Sequence, residues 1–168
     1  MADAKQESAL EGLLAHVRSR EGLSAEPPDE GLVAAPFEPG DAVYGNRNER
    51  LGIDFTVERM AFPELQVIDP RVVRIPPGAN NERHKHAHES LFVVLEGKGE
   101  VAVGDRRHPV EAGQVAFVPR WYFHQTFNTS ATEELVVLAI TDFGLTGAVL
   151  GDYDRKTRLA EEGEDTAE

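Results

Sequence analysis

The chain has 168 residues and a net charge of −13, from 17 lysines and arginines against 30 aspartates and glutamates, with six histidines and no cysteine. One domain is the expectation at this length, which buries roughly two thirds of its unfolded surface without cross-links. The missing cysteines exclude disulfides, thiolate zinc sites, iron–sulfur clusters and a cysteine nucleophile, and the negative charge argues against nucleic acid and membrane surfaces as partners.

In chain order, the first element is a helix over Ser8 to about Arg20. Ser8 and Glu11 stand at capping-box spacing, and Leu10, Leu13, Leu14 and Val17 form one apolar stripe. From Glu21 to about Asn48, Pro27, Pro28, Pro36 and Pro39 punctuate a stretch that reads as an extended arm lying along another surface. The arm and helix make up residues 1–50. Residues 51–150 then carry short β-rich runs: Ile53–Val57, Gln66–Ile75, Leu91–Leu95, Glu100–Val103, Val115–Val118, Tyr122–Phe127 and Leu135–Thr141. Gly97, Gly99, Gly104–Asp105 and Ala112–Gly113 mark tight connections, so an all-β antiparallel sandwich or barrel is expected. Residues 151–168 end in a stretch rich in acids, which reads as a disordered tail. No apolar run approaches the ~20 residues of a membrane span, and the first residues lack the pattern of a signal, so a cytoplasmic location is expected.

The chemistry concentrates in the histidines. His84, His86 and His88 alternate in Arg83-His84-Lys85-His86-Ala87-His88-Glu89-Ser90, and alternate residues of an extended chain point the same way. Two neighbours of this series can therefore reach one metal ion, and His124 lies in a later β-run. Imidazole suits iron, nickel, zinc or copper, and without thiolates nitrogen and oxygen are the only donors on offer. His16 and His108 stand apart and read as ordinary polar residues.

The spacing around these histidines resembles the cupin family. Its first motif is Gly-X5-His-X-His-X3–4-Glu-X6-Gly, and Gly78, His84, His86 and Gly97 follow it; its second motif is matched by Gly113, Pro119, His124 and Asn128. The resemblance covers about Ile53 to Phe143 and implies a double-stranded β-helix, the cupin jelly-roll barrel. Two positions depart from the pattern. Ser90 stands where the glutamate ligand is expected, with Glu89 one residue early and on the opposite face; Trp121 stands where a glycine is usual. These departures, with Pro119-Arg120-Trp121-Tyr122-Phe123-His124, resemble the gentisate 1,2-dioxygenase group, which holds Fe(II) by three histidines.

That resemblance implies an Fe(II)-dependent dioxygenase with His84, His86 and His124 as ligands, acting on a hydroxylated aromatic acid or similar chelating anion. Nickel, manganese, zinc and copper are alternative metals. A bulge that turns Glu89 inward, or His88 in place of His86, gives an alternative ligand set. Alternation from Ser90 places Phe92 and Val94 in the cavity, and alternation from His124 places Tyr122 and Thr126 there. Tyr122 is then a candidate hydrogen-bond donor to substrate, and Arg74 and Arg120 are candidate carboxylate clamps. Trp121 and Gln125, on the other side of that run, complete the expected substrate contacts. The apolar run Leu91–Leu95 and the outer aromatics Trp121, Phe123 and Phe127 require a cover, and a homodimer is the expected one. A metal-dependent isomerase or epimerase and a non-catalytic metal- or ligand-binding module are the competing functions.

Overall fold

The computed structural model describes residues 2–18, 42–60, 62 and 65–150. The proline-rich arm and the acidic tail fall largely or wholly outside these residues. Helix α1 spans Ala2–Arg18. It starts six residues before Ser8, so Ser8 is an interior residue of the helix and not its cap. Among the described residues nine strands follow: β1 Tyr44–Asn48, β2 Ile53–Arg59, β3 Asp69–Ile75, β4 Ser90–Glu96, β5 Lys98–Val103, β6 Arg106–Glu111, β7 Val115–Val118, β8 His124–Asn128 and β9 Leu135–Thr141. Helix α2, Phe143–Leu150, closes the described chain and packs on α1, whose Leu13 is buried. No helix among the described residues is long and apolar enough to cross a membrane.

Every strand pairing is antiparallel. The larger sheet runs β1-β2-β3-β9-β4-β7, and the smaller runs β6-β5-β8. The order follows from a chain that crosses from one sheet to the other, which is the jelly-roll arrangement. Side chains alternate along each strand, so one face of each sheet meets the other. Ile53, Phe55, Val57, Ile75, Phe92, Val94, Val101, Val110, Val118, Leu135, Val137 and Ala139 form the core between them.

Two of the outer aromatics, Phe123 and Phe127, carry cationic side chains of the chain itself over their rings, whereas Trp121 stays exposed. The Arg83 and Lys85 cations lie 4.2 and 4.7 Å from the Phe123 ring centroid, and Arg107 lies 4.0 Å from that of Phe127. Their aliphatic stems shield apolar surface while the charges stay in water. Along β4 the burial alternates instead of being uniform: Phe92 and Val94 are buried, whereas Leu91 is exposed.

Asn128, which closes the second motif, is a structural residue. Its amide donates to the Ile75 and Glu133 carbonyls at 2.9 and 2.8 Å, and its oxygen accepts the Ser130 N–H at 2.9 Å. These bonds tie the β8–β9 loop to the end of β3. Asn128→Ala leaves three backbone groups, two of them in buried bonds, short of a partner and is expected to lower stability by about 2 kcal/mol. Urea denaturation of the variant checks this.

Candidate metal centre

The segment carrying the alternating histidines runs beside β8 without being a regular strand. The His84 N–H donates to the His124 carbonyl at 3.1 Å, and the His124 N–H returns to the His84 carbonyl at 2.8 Å. One turn earlier, the Asn81 N–H donates to the Thr126 carbonyl at 3.1 Å. This pairing brings His84 and His86 to His124, although 38 residues separate the last two. One nitrogen from each of the three rings lies within 4.8 Å of the others. His86 and His124 are buried and His84 is partly so.

The three rings share one hydrogen-bond arrangement. The His84 Nδ1 bonds the Glu82 carbonyl at 2.9 Å, the His86 Nδ1 the His88 carbonyl at 2.9 Å, and the His124 Nδ1 the Tyr122 carbonyl at 3.0 Å. A carbonyl oxygen only accepts, so each Nδ1 carries the proton and each Nε2 keeps the lone pair. Backbone carbonyls that fix tautomer and ring orientation are what metal-binding histidines require from their surroundings. Three neutral nitrogen donors suit a borderline divalent ion, so the residues present fit a metal.

Ser90 stands at the position of the expected glutamate, at the start of β4. It is 1% exposed, and its Oγ has no hydrogen-bond partner among the described residues. Glu89 points the other way: its side chain is 52% exposed and pairs with Arg120 at 3.0 Å. No bulge turns it inward. His88 stacks on His86 with ring centroids 3.5 Å apart and lines the cavity, but it is outside the group of three.

That cavity has a volume of about 80 Å³ and is lined by Tyr44, Arg71, Asn81, His84, His86, His88, Ser90, Phe92 and Thr141, with Phe55, Val57, Val73 and Ala139 at its apolar wall. Five of the expected contact residues, Tyr122, Trp121, Gln125, Arg120 and Arg74, lie outside this lining. Strand β8 begins at His124, so alternation does not extend back to Tyr122, which is 56% exposed and outside the lining. Trp121 is 44% exposed and also lies outside; its φ of 63° places it in the left-handed region that the usual glycine would occupy, where its N–H donates to the His86 carbonyl at 2.8 Å. The Gln125 side chain donates to the Asn81 carbonyl at 2.8 Å, holding the histidine segment to β8. Of the proposed clamps, Arg120 pairs with Glu89 and Asp142, and Arg74 pairs with Glu58 and Glu134. Arg74 is on the outer face of β3.

The cavity arginine is Arg71, three residues earlier. It shares the inward face with Asp69, Val73 and Ile75, and it faces Ala139 on β9. The sequence could not separate the two arginines by parity. Asp69–Ile75 places Val72 on one face and Val73 on the other, so hydrophobic alternation has no preferred phase.

Asp69 receives both Arg59 and Arg71. Burial pushes its carboxyl up, but the hydrogen bonds and charges of Arg71 and Arg59 outweigh burial and hold it below its ordinary value of 3.8. A lowered carboxyl stabilises the fold when ionised, and that contribution is lost as pH falls through the folded value. The urea midpoint is therefore expected to drop steeply below about pH 4. Asp69→Asn should flatten this drop; an unchanged profile in the variant would remove Asp69 as its source.

A jelly-roll barrel with three tautomer-fixed histidines grouped at an interior cavity defines the class of protein. Residues 71–141 match the cupin domain model. Beta-alanine degradation protein BauB of Pseudomonas aeruginosa is 36% identical over 84 residues, covering 46% of this chain and 88% of BauB. The chain belongs to the cupin family. Among solved structures, a Photorhabdus luminescens protein superposes with a TM-score of 0.50 at 19% identity, covering 56% of this chain and 82% of that one. A cupin 2 conserved barrel domain protein of Rhodopseudomonas palustris gives 0.48 at 24% identity, covering 53% of this chain and 61% of that chain.

Proposed function

We propose that this cupin is a metal-dependent enzyme that holds one divalent ion, Fe(II), on His84, His86 and His124 and acts as a dioxygenase on a small chelating anion. The observation that carries the reading is the grouping of one nitrogen from each of the three rings within 4.8 Å, with each Nδ1 bonded to a backbone carbonyl. When bound, the metal would supply Lewis-acid activation of a chelated anion and, as iron, electron transfer with dioxygen.

The chain's own residues set what can enter. No carboxylate is among the described lining residues; the nearby buried acids are engaged, Glu82 by the Tyr44 hydroxyl and Asp69 by Arg59 and Arg71. Phe55, Phe92, Val57 and Ala139 keep one wall apolar and limit water. A volume of about 80 Å³ holds roughly five to eight water-sized spheres. That size favours a short acid over the aromatic acids of the gentisate-type reading, and the relation to a β-alanine degradation protein supports a small carboxylate.

The test is dioxygen uptake by anaerobically Fe(II)-loaded protein with short hydroxy, amino and oxo acids, beside salicylate and gentisate. Uptake coupled to substrate loss is expected with a short acid. Turnover without dioxygen that zinc or manganese supports equally would replace the dioxygenase reading with an isomerase or epimerase. Homodimer formation stays part of the proposal: Leu91 and Phe117, paired across β4 and β7, are exposed beside Val115 on the outer face of an edge strand. Sedimentation of wild type against Phe117→Glu is expected to show a dimer that the charge disrupts.

A further inference from the structure

Two of the polar groups in the cavity lining outside the histidine centre stand out. Arg71 contributes the one formally charged side chain in the described lining. Among the described residues its hydrogen bonds go to Asp69, and its guanidinium carbon lies 5.2 Å from the Phe143 ring centroid, against α2. Asp69 is itself forked by Arg59, through Nε and Nη2 at 3.2 Å each. One carboxylate thus serves two guanidiniums, so Arg71 shares its counter-ion with the half-exposed Arg59 and is only partly neutralised. The second group is Ser90, whose hydroxyl is buried in the lining without a partner. A buried hydroxyl left unmade is costly, and such a group in a cavity wall is ready for a ligand.

The register separates the two. Arg71 is on β3 and Ser90 on β4, with β9 between them. The intervening residues on that face are Ala139 and Thr141, both small, so the floor between the two polar groups is open.

We propose that Arg71 and Ser90 form a two-ended recognition site for a short bifunctional carboxylate, with Arg71 binding the carboxylate and the Ser90 hydroxyl binding a polar group at the other end. This deepens the proposed function, since it rests on the histidine cavity being the substrate site. The cavity volume of about 80 Å³ favours a small ligand. A guanidinium selects a carboxylate by charge-assisted hydrogen bonds, so the uncharged amide of the same acid is discriminated against.

The experiment is calorimetric titration of zinc-loaded and metal-free protein with lactate, 3-hydroxypropionate, β-alanine and malonate, each beside its amide. Wild type is expected to prefer at least one acid over its amide by about tenfold or more. Arg71→Gln should abolish that preference while zinc stoichiometry stays unchanged. Arg71→Lys keeps a charge beside Asp69 and covers the case in which Arg71→Gln fails to fold; it is expected to weaken the acid severalfold. Ser90→Ala removes a hydroxyl the fold does not use, so its melting temperature should be equal or higher while affinity falls for both acid and amide. Equal binding of acids and amides, equal affinity in wild type and the Arg71 variants, or no binding by any acid would overturn the proposal. Failure of wild type to take zinc, with Arg71-dependent acid binding retained, would reject the metal reading and leave this one standing.

Discussion

His124→Ala is expected to abolish stoichiometric metal binding while the barrel remains folded. A structural zinc site with four ligands is worth about 10–16 kcal/mol, so one ligand accounts for about 2.5–4 kcal/mol. Its loss weakens affinity on the order of a hundredfold to a thousandfold. His124 is the ligand to remove because it alone comes from the regular strand β8, and because its main-chain bonds to His84 survive the substitution. The histidine segment therefore keeps its place, and loss of metal reports the imidazole itself. Metal analysis after dialysis, with circular dichroism as the fold control, is the measurement. Full occupancy in the variant would show that the ion is held elsewhere. His88→Ala, by contrast, should retain metal, since His88 lies outside the group of three.

Gly97→Ala is expected to damage the fold most. Gly97 links β4 to β5 with a φ of 79°, a region that costs a residue with a side chain roughly 1–2 kcal/mol. A Cβ there would also lie 2.2 Å from the Glu134 carbonyl oxygen, a contact with backbone that no rotamer relieves. Overpacking of this kind adds about 1–3 kcal/mol. The sum, about 2–5 kcal/mol, corresponds to a fall in melting temperature on the order of 10–20 °C for a barrel of this size. Gly113, also left-handed, is the control: nothing lies within 4 Å of its added Cβ, so Gly113→Ala should carry the backbone cost alone. Equal losses in the two variants would remove the steric part of the argument.

The glycines show why much of this fold was readable. Gly97, Gly104 and Gly113 stand at turns and each has a positive φ, so turn chemistry and strand alternation placed β4, β5 and β7 within a residue or two. Val115–Val118 and Leu135–Thr141 coincide with β7 and β9. Strand β1, Tyr-Gly-Asn-Arg-Asn, has no apolar alternation and exists because it pairs with β2. Helix α2 was invisible for a related reason: Phe-Gly-Leu-Thr-Gly-Ala-Val-Leu carries two glycines and no charged residue, and it is helical where it packs on α1.

By itself the sequence determined the donor chemistry. Without a cysteine, a His-X-His pair and a later histidine at matching spacing leave nitrogen donors for a metal. It also determined that Ser90 occupies the position of a ligand, because counting along the chain suffices for that. Only the tertiary structure decided which charges face the cavity. Alternation fixes relative orientation within a strand but not its phase when both faces are apolar, and it lapses where the strand ends. Arg71 thus turned inward and Arg74 outward, while Tyr122 lay beyond the start of β8. The net charge of −13 belongs to the chain as a whole, whereas the cavity wall described here carries a positive guanidinium and no carboxylate. Strand pairing, which composition does not contain, put it there.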